Sequence, residues 1–249
     1  MTATHFIVRP ENLHYPCAVL DGDEHYHLSR VLRAKPGRKI WLLDERGASY
    51  LAEVEEVGRD RTRLRLVEKK ESGDGKRMNL ILAQSVLKAK KMDMLVQKAT
   101  ELGITRLIPV AAERSVVKFT EREALKVERW RKIAREAAKQ SRNSRIPEIL
   151  HHVSMREFLS SRNEQRKLIL CEGKGRLLRD IVAGPPASLS KGEVPAVLLL
   201  VGPEGGWTAG ELKAVLEKGF EAVSLGPRTL RSETAALAAL AVLSQFWND

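Results

Sequence analysis

Two Gly-rich segments near the C-terminus carry the residue types from which a ligand site is most readily built. They are Gly202-Pro203-Glu204-Gly205-Gly206-Trp207 and Leu225-Gly226-Pro227-Arg228-Thr229-Leu230-Arg231-Ser232-Glu233-Thr234-Ala235. Glycines let a backbone approach a ligand closely because no Cβ stands in the way, and a helix starting after Thr208 would add unpaired amides. Taken alone, the first loop could be a tight turn, a phosphate cradle or a dinucleotide turn. Neither Gly-x-Gly-x-x-Gly nor Gly-x-x-x-x-Gly-Lys-Ser/Thr occurs in it. The second loop adds Arg228, Arg231, Ser232, Glu233 and Thr234, and two strand-end loops facing one crevice argue for binding better than either alone.

The elements around these loops decide whether they meet. Ala196–Val201 is a continuous apolar run, as expected for a strand covered on both faces, so the loop after it should leave the carboxyl edge of a parallel sheet. Upstream, strand-like 79–83 precedes a helix near 88–102 whose Met92, Leu95, Val96, Ala99 and Leu102 share one stripe, with Gly103 as its C-terminal cap. Strand 104–110 follows. Thr120 to Glu123 matches a capping box opening a long helix, with Leu125, Trp130, Ile133, Ala134 and Ala137 expected on its buried face and a basic opposite face. Further capping boxes at Ser154–Glu157 and Thr208–Glu211, strands at 167–171 and 222–225, and an Ala-rich helix from about Glu233 complete an alternation of strands and helices. Crossover connections of this kind imply a mostly parallel α/β sheet.

The first seventy residues read differently, as short strands at 6–8, 18–20, 39–44, 49–57 and 61–68 with a helix near 24–33, a pattern that fits a small barrel. Arg61, Arg63 and Arg65 alternate with Thr62, Leu64 and Leu66, which puts three guanidinium groups on the face opposite the apolar side chains. Glu71 to Lys76 is polar, Gly-rich and aperiodic, and marks a linker, giving domains 1–72 and 73–249.

The chain of 249 residues has a formal charge of +11 and 43% hydrophobic residues, enough for a packed core. The excess of Lys and Arg over Asp and Glu is zero in residues 1–75, ten in 76–150 and one in 151–249. Positive charge concentrated in one third points to a polyanion, although a solvated basic helix face has the same composition. In the first domain Arg30, Arg33, Lys35 and Arg38 follow a short helix with no acid among them, which suits an RNA backbone. Cys17 and Cys171 are far apart in apolar runs and are expected as small buried thiols of a reducing compartment, the cytoplasm. No apolar run reaches the ~20 residues needed to span a bilayer, and no leader pattern is evident. The six histidines lack companions for a metal site, and no serine sits in a Gly-x-Ser-x-Gly setting.

The paired loops, Gly-Pro-Glu-Gly-Gly-Trp and then Leu-Gly-Pro-Arg-Thr-Leu-Arg-Ser-Glu-Thr-Ala, resemble the signature of the SPOUT methyltransferases. More narrowly they resemble the RsmE family of 16S ribosomal RNA uridine-N3 methyltransferases. His27 to Arg33, Lys91 to Gly103, and Gln140-Ser141-Arg142 with Pro147 extend the likeness over nearly the whole chain. Trp207, Thr229 and Ser232 depart slightly from the family pattern.

The resemblance implies a PUA-like β-barrel that binds RNA, then an α/β domain with a C-terminal trefoil knot around S-adenosylmethionine, in a homodimer. It assigns cofactor contacts to Leu200, Gly202, Pro203, Gly205, Gly206, Leu225, Gly226, Leu230 and Thr234. RNA contacts are expected from Arg30, Arg33, Lys35, Arg38, Lys91 and Arg142. Methyl transfer from a sulfonium needs little acid catalysis, so positioning should dominate, but uracil N3 must lose a proton. Arg231 is expected to hold the uracil oxygens, and Glu204 or Glu233 to accept the proton, each having a competing structural role. Two other readings stay open: methylation of a ribose 2′-oxygen or a tRNA base by the same fold, and a non-catalytic RNA-binding assembly factor.

Overall fold

The computed structural model describes residues 5–44, 48–70, 78–115, 123–141, 143, 145–160, 162, 164–173, 175–184 and 196–247. Two compact units are present: Met1–Gly75 with Arg135–Ile146, and Lys76–Ala134 with Pro147–Asp249. The expected linker at 71–76 and the capping box opening at Thr120 lie outside the described residues.

The first unit contains β1 (His5–Val8), β2 (Leu13–His14), β3 (Cys17–Asp21), α1 (Gly22–Tyr26), β4 (Lys39–Asp44), β5 (Ser49–Val57) and β6 (Arg61–Lys70). A π-type turn over His27–Val31 continues α1, so the helix expected near 24–33 runs instead from 22 to 31. The strands form one sheet in the order β1-β4-β5-β6-β3-β2, antiparallel except for β1 on β4, and β1 approaches β3 as the sheet curls. Period-two alternation works as expected on β6. Thr62, Leu64 and Leu66 are buried while Arg61, Arg63 and Arg65 are exposed. Arg63 pairs with Glu56 and Arg65 with Glu53 on the adjacent strand, so these two guanidinium groups are already matched by carboxylates. Cys17 is exposed and Cys171 half-buried, which corrects the expectation of two buried thiols; neither is in a disulfide. Cys17 opens the short strand β3, where alternation turns its side chain outward while Ala18 and Leu20 fill the core.

The second unit is an α/β sandwich. Its elements are β7 (Asn79–Ser85), α2 (Ala89–Glu101), β8 (Arg106–Ala111), α3 (Glu123–Ser141), β9 (Glu148–Ile149), β10 (Val153–Ser154), α4 (Met155–Ser160), β11 (Arg166–Leu170), β12 (Arg176–Leu177), α5 (Leu178–Val182), β13 (Ala196–Val201), α6 (Ala209–Glu217), β14 (Glu221–Ser224) and α7 (Ser232–Trp247). Helix α3 runs across the division, and its residues from Arg135 onward group with the first unit. The sheet order is β10-β8-β7-β13-β11-β14-β12, with β9 also on β8, and every pairing is parallel. Strand β13 shows why its sequence is continuously apolar. Val197, Leu199 and Val201 join the core beneath α2, α3, α5 and α7, while Leu198 and Leu200 join the core on the other face with Phe158 and Val215. Burial on both faces leaves no position for a polar side chain.

One expected packing position changes. Leu125 of α3 is 73% exposed, and Val127 takes its place in the stripe with Trp130 and Ala134. Val127, Trp130 and Ala134 are spaced three and four residues apart, as one helical face requires; Leu125 falls off that stripe.

Candidate cofactor and catalytic site

Because β13, β11 and β14 are parallel neighbours, the loops that follow them leave one edge of the sheet together. The loops 202–207 and 225–231, with Cys171 and Glu172 after β11, surround a cavity of about 540 Å³. That volume lies within the usual ~300–1,000 Å³ of small-ligand sites. Its walls are Arg114, Leu170, Cys171, Glu172, the segment from Val201 to Trp207, Leu212, Ser224 to Gly226, Arg228 to Ser232, and Ala235.

The first loop is held from three sides. Trp207 Nε1 donates to the Leu170 carbonyl at 3.1 Å, fastening the loop to the end of β11. Arg114 Nη1 donates to the Gly205 carbonyl at 3.2 Å and the Trp207 carbonyl at 3.4 Å. Thr208 and Glu211 form the expected capping box at the start of α6, and the second carboxylate oxygen of the buried Glu211 accepts from the Glu113 amide at 2.9 Å. Small residues are required here: a Cβ on Gly202 would stand 3.0 Å from the Trp207 ring, and Gly206 has φ +67°.

At the start of α7, Ser232 Oγ donates to the Gly202 carbonyl, and Gln84 Nε2 at the end of β7 donates to Ser232 Oγ at 3.0 Å. The two Gly-rich loops are thus tied through a buried hydroxyl. Nearer the surface, Lys91 Nζ lies 3.1 Å from Glu204 Oε1 and 3.3 Å from Glu233 Oε1. Burial pushes the Glu204 carboxyl up, but hydrogen bonds from its own backbone amide and from Lys91, aided by the charges of Lys91 and Lys88, hold it below the usual carboxylate range. The hydrogen bond to Glu204 does most to raise the Lys91 ammonium, with Glu233 adding to it against desolvation.

Of the residues expected to contact a cofactor, Gly202, Pro203, Gly205, Gly206, Leu225, Gly226 and Leu230 line the cavity. Leu200 and Thr234 do not: Leu200 is buried in the core on the α4 and α6 face, and Thr234 is exposed. Arg231 and Glu204 line the cavity, whereas Glu233 is buried behind it. Among the described residues the Arg231 guanidinium has no hydrogen-bond partner. Sequence reasoning passed over Arg114, Cys171, Glu172 and Ser224. For Cys171 and Glu172 a signal existed, since Cys171-Glu172-Gly173-Lys174-Gly175 is a third Gly-rich stretch directly after a strand. Nothing local marks Arg114.

In the first unit, Arg30, Arg33, Lys35 and Arg38 are all exposed on the turn after α1. Arg33 adopts φ +48°, unusual for a residue with a side chain, and Arg38 Nη1 donates to the Leu32 carbonyl at 3.1 Å. Arg142 lies outside the described residues.

Residues 74–244 match the RNA methyltransferase domain family, and residues 20–67 match the RNA methyltransferase PUA domain family. The chain is 32% identical over 232 residues to ribosomal RNA small subunit methyltransferase E of Bacillus subtilis, covering 92% of this chain and 90% of that one. The chain belongs to the ribosomal RNA small subunit methyltransferase E family. The family member of Mycobacterium tuberculosis is 33% identical over 93% of this chain and 88% of its own length. In solved structures the likeness extends to the fold. The family member of Neisseria gonorrhoeae, bound to S-adenosyl methionine, superposes with a TM-score of 0.83 at 33% identity over 98% of each chain. A Legionella pneumophila methyltransferase in complex with bound SAM gives 0.86 at 30% identity over 100% of each chain. The family membership matches the enzyme class expected from the paired loops, and the first unit is the PUA-like domain expected before them.

Proposed function

We propose that this chain transfers a methyl group from S-adenosylmethionine to N3 of a uridine in 16S ribosomal RNA. The observation that carries this reading is the single cavity enclosed by both Gly-rich loops, in a chain of the ribosomal RNA small subunit methyltransferase E family. S-adenosylmethionine, when bound, supplies a methyl group on a sulfonium whose departing thioether is neutral. The cavity suits it: neutral adenine and ribose call for backbone donors and acceptors at close range, which Gly202, Gly205, Gly226 and Leu230 offer, and no phosphate motif is needed. Leu200 and Thr234 act, in this reading, through the backbone and helix that carry the neighbouring wall residues. The region 73–249 is the SPOUT domain, with its last segments threaded as a trefoil knot around the cofactor, and 1–72 is the RNA-binding barrel. The insertion of β13 between β7 and β11, with β14 beyond β11, supports such a threading.

Arg231 holds the uracil oxygens. A guanidinium with no partner among the described residues, on the wall of the cavity, is free to offer its forked donors as negative charge develops on the base. The N3 proton passes to Glu204 or Glu233. Glu204 is the one that lines the cavity, and its hold below the ordinary range makes it a weak acceptor, so stabilisation of the uracil anion by Arg231 carries more of the step. Arg30, Arg33, Lys35 and Arg38 bind RNA phosphates, with Arg142 beside them in the basic middle segment. The enzyme works as a cytoplasmic homodimer on the small ribosomal subunit, with α7 contributing its remaining apolar surface, Phe246 included, to the dimer.

Calorimetry with S-adenosylmethionine tests the reading. One cofactor should bind per chain, and folded protein that ignores the cofactor, with or without RNA, would overturn it.

A further inference from the structure

Lys91 stands where three segments meet. It belongs to α2, whose neighbouring Met92, Leu95 and Val96 are fully buried and fix the helix in place. Its Nζ reaches Glu204 in the loop after β13 at 3.1 Å and Glu233 in the first turn of α7 at 3.3 Å. Glu233 is itself buried, and its Oε2 has no hydrogen-bond partner among the described residues. A buried carboxylate so poorly satisfied is expensive unless a charge is held beside it, and the ammonium supplies that charge. Glu233 is two residues from Arg231 and one from Ser232, both on the cavity wall.

We propose that Lys91 is a positioning residue, whose bridge between Glu204 and Glu233 locks the cofactor loop against the start of α7 and so sets the aim of Arg231. The buried tie of Gln84 and Ser232 to the Gly202 carbonyl fixes the inner side of this joint, and Lys91 fixes the outer side. The inference rests on the methyl-transfer reading above. It also reassigns Lys91 from RNA contact. A phosphate approaching this ammonium would meet two carboxylates already paired with it, and their repulsion opposes the approach.

The test compares K91M, K91R and E204Q with the unaltered protein, using cofactor calorimetry, steady-state methyl transfer and RNA binding over a range of salt, with circular dichroism to verify folding. K91M should weaken cofactor binding by about three- to tenfold, the scale of two partly exposed ion pairs. Its kcat should fall by ~100-fold, as expected when a reacting group loses its aim by about 1 Å. RNA affinity and its salt slope should stay unchanged. K91R, which can still bridge two carboxylates, should restore most of kcat. E204Q should lose less than K91M, and combining the two should add nothing beyond K91M. Folded K91M with unaltered cofactor affinity and kcat would overturn the inference. So would a loss confined to RNA affinity with a salt slope smaller by about one, which is the mark of a phosphate contact. If K91M does not fold, E204Q with unaltered kcat overturns it. Failure of the unaltered protein to bind S-adenosylmethionine would instead overturn the reading beneath it.

Discussion

Gly175 offers the sharpest quantitative test of how the cavity is built. It lies in the loop after β11, whose Cys171 and Glu172 line the site, and packs directly on the backbone of β14. A Cβ there would stand 2.2 Å from the Ala222 carbonyl oxygen and 2.5 Å from its carbon, at a φ of +95°. Carbon atoms pack best at ~3.5–4.0 Å, so an alanine must push the strand back by an ångström or more. That movement disturbs the Arg176–Val223 register and the hydrogen bond from the Cys171 amide to the Val223 carbonyl. Gly103 is the control. It too has positive φ, +85°, but nothing lies within 4 Å of its would-be Cβ. The left-handed conformation alone costs roughly 1–2 kcal/mol for an L-residue. Forced displacement of packed atoms adds ~1–3 kcal/mol. Gly103→Ala should therefore lose about 1–2 kcal/mol, and Gly175→Ala about 2–5 kcal/mol, a large part of the ~5–15 kcal/mol that typically holds a domain together. Urea titrations monitored by circular dichroism give both values, and cofactor calorimetry on the folded fraction should show weakened binding only for Gly175→Ala. Equal destabilisation by the two substitutions would refute the argument that β14 leaves no room at this position.

Arg231→Ala should keep its cofactor affinity while turnover falls by ~10²–10³-fold, the usual loss on removing one donor aimed at developing charge; steady-state kinetics beside calorimetry checks it. Ser232→Ala removes the hydroxyl shared by Gln84 and Gly202 and should cost about 1–2 kcal/mol in urea titration, with weaker cofactor binding. Thr208→Ala takes away the helix cap below the first loop, and a loss of ~0.5–2 kcal/mol is expected in the same titration. The pH dependence of stability follows from the contacts of Lys91 with Glu204 and Glu233. The Glu204 carboxyl is lowered from 4.5 in the folded protein, so its contribution is present above that value and lost as pH falls through the lowered one. The Lys91 ammonium is raised from 10.5, so its contribution is present below that value and lost as pH rises through the raised one. Urea titrations of the protein and of K91M across pH should find the stability difference between them steady between these limits, and a difference that falls away near neutrality would count against this assignment.

Much of the site was legible because local chemistry and global topology agree there. The run Ala196–Val201 is apolar at every position because the sheet buries both its faces, and the Thr208–Glu211 box starts α6 where its spacing says. Leu125 misled because the apolar spacing at the start of α3 admits two stripes, and only tertiary packing selects the one through Val127. The two-residue strands β9, β10 and β12 owe their extension to neighbours in the sheet and carry no period of their own. Lys91 was equally hidden. A lysine in a basic segment looks like an RNA contact, and only the fold brings residues 204 and 233 to its ammonium. The same holds for Arg114, whose hydrogen bonds span about ninety residues of sequence.

The central claim is that both Gly-rich loops deliver one activated methyl group to a uridine base. Incubating the protein with small ribosomal subunits and S-adenosylmethionine labelled in its methyl group, then digesting the RNA and separating nucleosides by mass spectrometry, tests it most directly. Label should appear in 3-methyluridine and be lost with Arg231→Ala. Label in a 2′-O-methylated nucleoside, or none from folded and cofactor-bound protein, would contradict the account.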